Sequence, residues 1–263
     1  MKRNFTKLLL SLCLSNFLHA TDFHSADYLN KFDFLETHLF LRQFIRPGDL
    51  VFDVGAHTGK LTDIYLSLGA KVVCFEPQDI CFKVMENKYS NNPKVTLERK
   101  GLSSKAGLLL LFQSSESTPL ATFSYEFTKN GRFAERNFAW DKQAVVEVCT
   151  LDAMIAKHGT PQFCKIDVEN YEHEVLKGLS QPIRCISFEY TIEGAEKNAK
   201  VCLELLTKLG YKKFNFAIAE RGKFTFSQWL TADELYEQLT ELSKNKVWKD
   251  IWGLWGDIYA LYE

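Results

Sequence analysis

Several marks that would place this chain quickly are missing. It has no excess of charge: 32 basic residues face 33 acidic ones in 263, a formal net charge of −1. A nucleic-acid binder needs a strongly basic face, and this balance offers none, so no nucleic-acid partner is expected. The seven cysteines contain no C-x-x-C pair, so neither a zinc site nor a thioredoxin-like motif is indicated, and no metal site is read. There is no repeat with a period of 20–50 residues and no low-complexity tract. The apolar run LLLSLCLSNFL, residues 8–18, is too short to span a bilayer as a helix. What is present is ordinary for a packed domain: 46% hydrophobic and 25% charged residues. Phenylalanine is plentiful, at 21 residues, which predicts an aromatic-rich core or ligand pocket.

The N-terminus pulls in two directions. MKRNFTK is basic, an apolar run follows, and Ala20 stands before Thr21. That order predicts an export signal over residues 1–20, with any membrane association confined to this segment. The alternative is an N-terminal helix packed on the rest of the chain. Loss of the segment would remove Cys13. Of the remaining cysteines, Cys74, Cys149, Cys164 and Cys185 lie in apolar, strand-like runs, where free cysteine acts as a small buried hydrophobe. Buried thiols and no disulfide framework suit a reducing compartment. Localisation therefore stands between export and cytoplasm.

From residue 28 onward the pattern alternates. A helical apolar stripe over 28–45 ends at the turn Arg46-Pro47-Gly48-Asp49. Strands are predicted at 50–54, 71–76, 94–98, 144–148, 163–168 and 183–190. Helices are predicted at 60–68, 80–89, 151–158, 171–177, 195–209 and 232–243, and a closing strand pair from YKKFNFAIA and LWGDIYALY. Strands alternating with helices predict a mainly parallel α/β sheet covered on both faces. Residues 103–143 break the rhythm and are too long for a plain connector, which suggests a functional insert.

In such sheets ligands lie beyond the C-terminal strand ends, where strand order reverses. Carboxylates occupy those ends: Asp53, Glu76, then Asp167 and Glu169. Gly55 and Gly59 follow Asp53 within GAHTG. Glycine lets the backbone turn sharply and a ligand approach closely, and the helix that follows points its amides at the same place. GAHTG is not the G-x-G-x-x-G of a dinucleotide site, nor does it carry the Lys-Ser/Thr of a phosphate-binding loop. A carboxylate before the loop repels a pyrophosphate but suits a sulfonium. Glu76, at the next strand end, is placed to accept from both hydroxyls of a ribose. These features together describe an adenosine-type ligand with positive charge and no phosphates, which S-adenosylmethionine matches.

The residues PGDLVFDVGAHTGKLT (47–62), AKVVCFEPQ (70–78), Thr150-Leu151-Asp152, KIDVENYEHEVLKG (165–178) and ISFEY (186–190) resemble, in order and spacing, the FkbM family of class I S-adenosylmethionine-dependent methyltransferases. The pairing of FEP with KIDVExxExxVLKG is the specific part. The resemblance implies a Rossmann-like methyltransferase fold, a single domain over 21–263 with core motifs at 47–190, and an antiparallel terminal strand pair. It also implies S-adenosylmethionine as cofactor. Asn170 stands where the family usually has glycine; asparagine tolerates left-handed backbone and makes a good helix N-cap.

The expected cofactor site comprises Asp53, Gly55, Ala56, His57, Gly59, Glu76, Pro77 and Gln78. Asp53 is expected to bind the loop amides and the methionine end of the cofactor, and His57 to cover it. Asp167 and Glu169 are the catalytic candidates, projecting to one side with Val168 opposite by strand alternation. One holds a polar group while the other deprotonates the acceptor; the alternative for both is charge at a helix end. Glu172 and Glu174 read as exposed first-turn charges, and Glu189 as a weaker candidate for acceptor contact. The insert offers Ser117, Thr118, Thr122 and Tyr125 hydroxyls and the charges of Lys129, Arg132 and Arg136, as acceptor pocket or lid. The reaction these readings support is O-methylation of a hydroxyl on a sugar or small metabolite. The competing readings are a non-catalytic S-adenosylmethionine-binding protein with a decayed acceptor site and, further off, a nicotinamide-dependent dehydrogenase.

Overall fold

The strand segments 50–54, 71–75, 163–166 and 185–191 are buried along most of their length because both faces of their sheet are covered. The computed structural model describes residues 34–130, 133–134, 138–191, 196–219, 222–244 and 255–263. The expected export segment 1–20, and Arg132 and Arg136, lie outside the described residues. The chain runs α1 (Phe34–Leu41), β1 (Leu50–Val54), α2 (Lys60–Ser67), β2 (Lys71–Phe75), α3 (Asp79–Tyr89), β3 (Val95–Glu98) and β4 (Gly101–Leu102). Next come β5 (Gly107–Gln113), a 3-10 turn at Thr118–Leu120, α4 (Tyr125–Lys129), β6 (Lys142–Cys149), α5 (Leu151–His158) and β7 (Phe163–Ile166). The last elements are α6 (Glu172–Lys177), β8 (Cys185–Thr191), α7 (Glu196–Lys208), β9 (Lys213–Ile218), α8 (Ala232–Ser243) and β10 (Trp255–Leu261).

The main sheet has seven strands in the order β3-β2-β1-β7-β8-β10-β9. β3, β2, β1, β7 and β8 are parallel, and β10 is antiparallel to both β8 and β9. This is the mixed α/β, mainly parallel, Rossmann-like architecture that the sequence predicts. The chain moves outward from β1 through β2 to β3, then returns to the other side of β1 as β7. Strand order therefore reverses between β1 and β7, which is where a ligand crevice belongs.

Alternate residues of each strand serve opposite faces. Phe52, Val54, Val73, Phe75, Cys164, Ile166, Ile186 and Phe188 join one core with residues of α5, α6, α7 and α8. Val51, Val72, Cys74, Phe163 and Cys185 join the other with residues of α1, α2 and α3. That second face absorbs much of the phenylalanine: Phe44 stacks on Tyr259 and Phe163 at 5.4 and 6.0 Å, and Phe40 meets Tyr259 edge-on at 5.3 Å. Among the described residues, six cysteines are free and buried: the four expected in strands, and Cys81 and Cys202 on helices. Burial pushes their thiols up, Cys149 to about 11 and Cys81 to about 12.

The insert is not a loose loop. LLLLF lies within β5, which pairs antiparallel with β6, and β4 joins β6 on its other side, forming a second, three-stranded sheet. The segment after β5 folds back: Thr122 and Phe112 exchange backbone hydrogen bonds of 3.0 and 2.9 Å, and the Trp140 indole donates to the Leu120 carbonyl at 2.7 Å.

Candidate functional site

The loop after β1 is held by backbone. The Gly55 and Ala56 amides both donate to the Phe75 carbonyl, at 3.0 and 3.2 Å. Gly55 sits at φ +83, and a Cβ there would run into the Asp167 carbonyl. Two demands, left-handed backbone and strand-to-strand approach, thus converge on one glycine. Gly59, at φ +79, caps α2; a Cβ on it would sit 2.6 Å from the Tyr89 hydroxyl.

Asp53 differs from expectation. The loop amides go elsewhere, and its carboxylate turns inward, accepting from the Thr62 hydroxyl at 2.6 Å. Burial raises it to about 6, against the pull of Thr62 and Lys165. Asp53, Ala56 and Gly59 do not line the cleft described next; they shape and brace the loop that does.

That cleft opens at the ends of β1, β2 and β7. Gly55, His57, Glu76, Pro77, Gln78, Asp167 and Glu169 all line it, so seven expected site residues converge there. Glu76 is 3% exposed. Its Oε2 accepts from the His57 amide and its Oε1 from the Gln78 amide, each at 2.8 Å. One carboxylate thereby ties the loop after β1 to the loop after β2. Burial raises it to about 7, although both amides favour its charged form. Each oxygen keeps a further lone pair, as a diol ligand requires. His57 is at φ +50; its Nε2 lies 2.8 Å from Thr118 Oγ1, and burial lowers its pKa.

The insert supplies the outer wall through Pro119, Ala121 and Phe123. The Thr122 hydroxyl donates to the Glu169 carbonyl at 2.6 Å. Of the hydroxyls expected to meet an acceptor, Thr118 and Thr122 instead fasten the insert to the site. Tyr125 faces outward, 62% exposed, with Lys129 over its ring.

β7 ends at Ile166, and strand alternation stops with it. Glu169 and Asn170 adopt φ +54 and +67, so the chain curls and Asp167, Val168 and Glu169 all face the cleft. Val168 is not opposite. Asn170 takes the left-handed backbone its identity allows, but Tyr171 holds the N-cap position and makes no side-chain cap. Carboxylate oxygens of Asp167, Glu169 and Glu189 lie within 4.8 Å of one another, concentrating negative charge at the switch point.

Two residues overlooked in the sequence hold this turn. Glu172 is buried, not an exposed helix-end charge. Its Oε1 accepts from the Val168 amide at 3.0 Å and its Oε2 from Asn198 at 2.7 Å, and burial raises it to about 7. The signal was its spacing: Glu172 shares a helix face with buried Val175 and Leu176. Glu174 accepts from Ser104 at 2.7 Å and from Lys177 and is only partly exposed. The second overlooked residue is Lys165, a buried cation in the four-residue strand β7. Its Nζ lies 2.7 Å from Asp257 and 3.2 Å from Asp167. Burial opposes its charge, but the two aspartates outweigh it and hold Lys165 well above its usual value. A charged residue inside an apolar strand was the available clue.

The site suits an adenosine-bearing cation better than a dinucleotide. Glu76, Asp167 and Glu169 face the cleft, and its one lysine, Lys100, is paired with Glu147 at 2.9 Å. A pyrophosphate would meet carboxylates with no free cation among the described lining residues.

The model of the Methyltransferase FkbM domain matches residues 53–237, and the chain belongs to the FkbM methyltransferase family. The hexuronic acid methyltransferase AglP of Haloferax volcanii is 29% identical over 142 residues, 53% of this chain and 54% of that protein; the match spans about half the length of that relative. Among solved structures, a precorrin-6y C5,15-methyltransferase from Geobacter metallireducens aligns at TM-score 0.44 and 11% identity, over 88% of this chain and 87% of that one. A putative methyltransferase from Streptococcus mutans, in complex with SAH, aligns at TM-score 0.38 and 12% identity, over 86% and 96% of the two chains.

Proposed function

We propose that the protein transfers a methyl group from S-adenosylmethionine to a hydroxyl on a sugar or small metabolite. The observation that carries this reading is the Glu76 cleft. A buried carboxylate with open lone pairs faces Asp167 and Glu169 across the switch point, in a chain of a methyltransferase family. The sugar-acid relative makes a carbohydrate acceptor the favoured class.

When bound, the cofactor supplies a methyl group on a sulfonium. Glu76 holds the ribose hydroxyls, with Pro77 and Gln78 beside them. Gly55 and His57 line the methionine side, and neutral His57 adds no repelling charge. Asp53 acts through Thr62 to hold the loop. Asp167 and Glu169 face the cationic end and the incoming acceptor. If the acceptor is a hydroxyl, one of these carboxylates would take up its proton, and Asp167 is the one next to a fixed ammonium, that of Lys165. Positioning does most of the work, since effective molarities in well-oriented sites are large; the base matters because a hydroxyl must lose its proton.

The test is transfer itself. Purified protein incubated with methyl-labelled S-adenosylmethionine and extract of its host should place label in a carbohydrate or small-metabolite fraction. Cofactor binding with no labelled product would leave a non-catalytic binding protein as the better reading.

A further inference from the structure

The cleft at the switch point has about 50 Å³ of room, whereas pockets for small-molecule ligands take up roughly 300 Å³ or more. Something inside it has to yield to a donor. A sulfonium belongs beside Asp167 and Glu169, and Glu76 fixes the ribose. The purine therefore falls on the far side of the ribose, among Pro77, Gln78, Gly101 and Leu102. Phe123 reaches the same place from the insert. Its Cε2 and Cζ atoms lie 2.6 Å from where a Cβ on Gly101 would stand. Gly101 is not one of the glycines with left-handed backbone, so its missing side chain serves space and not a turn. The ring is seated in a slot that a side chain would close.

The backbone on either side of Phe123 is fastened. Thr122 exchanges backbone bonds with Phe112, donates its hydroxyl to the Glu169 carbonyl, and accepts from the Ser124 amide at 2.9 Å. The Ser124 hydroxyl caps α4, accepting from the Phe127 amide at 3.2 Å. The Phe123 side chain is held far less. It is half-buried, belongs to neither hydrophobic core, and meets the Tyr171 ring at 5.4 Å, tilted. A ring in a close-packed interior is locked by its neighbours; one outside it changes rotamer at little cost. In this segment the part free to move is the ring, and the wall that carries it stays in place.

We propose that Phe123 is a side-chain gate on the donor cleft: its ring fills the purine slot on Gly101 and turns out of it when S-adenosylmethionine binds. The inference rests on the donor reading of this cleft. Phe123 and the purine then compete for one space. A ligand that binds only the open form loses apparent affinity in proportion to how rarely that form is populated, and it associates more slowly for the same reason. Phe123 thus sets the rate and the tightness of donor binding without being a contact that the bound donor needs.

The experiment places para-fluorophenylalanine at position 123 of the full chain and follows its fluorine resonance by NMR as S-adenosylhomocysteine is added, with saturation established by calorimetry. At saturation the resonance should move and gain the heavy-water solvent shift of an exposed ring. That solvent shift separates a ring that has left the slot from one that merely feels a ligand beside it. Phe123→Ala removes the competitor, so S-adenosylhomocysteine should associate about tenfold faster than with the parent and bind no more weakly. The proposal is overturned if the fluorinated ring stays shielded from solvent at saturation. It is also overturned if Phe123→Ala associates at the parent's rate, or if it binds more weakly, as the loss of a stacking contact would cause. If the parent itself fails to bind S-adenosylhomocysteine, the donor reading falls and takes this inference with it. S-adenosylhomocysteine binding with an unmoved ring overturns this inference alone.

Discussion

Glu76 joins two loops before it meets any ligand. Its carboxylate accepts from the His57 and Gln78 amides, and burial raises it to about 7. The charged form is the better acceptor, so affinity for S-adenosylhomocysteine should be full above pH 7 and decline as pH falls through about 7. Titration calorimetry at pH 8 and pH 6 checks this; equal affinity would show that Glu76 does not hold the ligand. Asp53 makes a different prediction. Its folded value of about 6 lies above the ordinary 3.8, so its contribution to stability is present below pH 4 and lost as pH rises through about 6. The cost above that range is on the order of 3 kcal/mol. Asp53→Asn should therefore raise Tm at pH 8 and change it little at pH 4; an equal shift at both would remove the burial argument. Asp167→Asn keeps shape and loses basicity. It should lower kcat far more than cofactor affinity, whereas parallel losses would make Asp167 a cofactor ligand only.

Among the elements, the insert shows where sequence and structure part. LLLLF has no alternation, and Leu108 and Leu110 remain exposed at 70% and 41% while Leu111 is buried. A strand of a small sheet with one open face cannot be told from a buried run by periodicity alone. Its partner β6 is some thirty residues on, so the pairing was invisible locally. A separation of 47 residues hid the Thr122–Glu169 contact, which converts an apparent lid into a fixed wall. Thr122→Val should cost about 0.5–1.5 kcal/mol of stability and weaken S-adenosylhomocysteine binding; unchanged melting and binding would mean the wall stands without it. The turn after β7 parted from expectation for a related reason. Alternation predicted two faces, but left-handed backbone at Glu169 and Asn170 ended the strand early, and Glu172, read as a surface charge, became the buried acceptor that fixes the bend.

At the scale of the whole molecule, the parallel sheet was legible because each central strand is apolar on both faces and each turn carries its own punctuation. Gly55 and Glu76 could be placed from their position at strand ends. Lys165 and Asp257 could not, because nothing local marks a pair 92 residues apart. The central claim is that the cleft at the β1–β7 switch point takes an adenosine-bearing sulfonium donor and not a dinucleotide. Titration calorimetry of the purified protein at pH 8 with S-adenosylhomocysteine and with NAD tests it most directly, with Glu76→Ala alongside. The account predicts S-adenosylhomocysteine binding that weakens by about 1–3 kcal/mol in the variant, and no NAD binding. NAD binding without S-adenosylhomocysteine binding would contradict it.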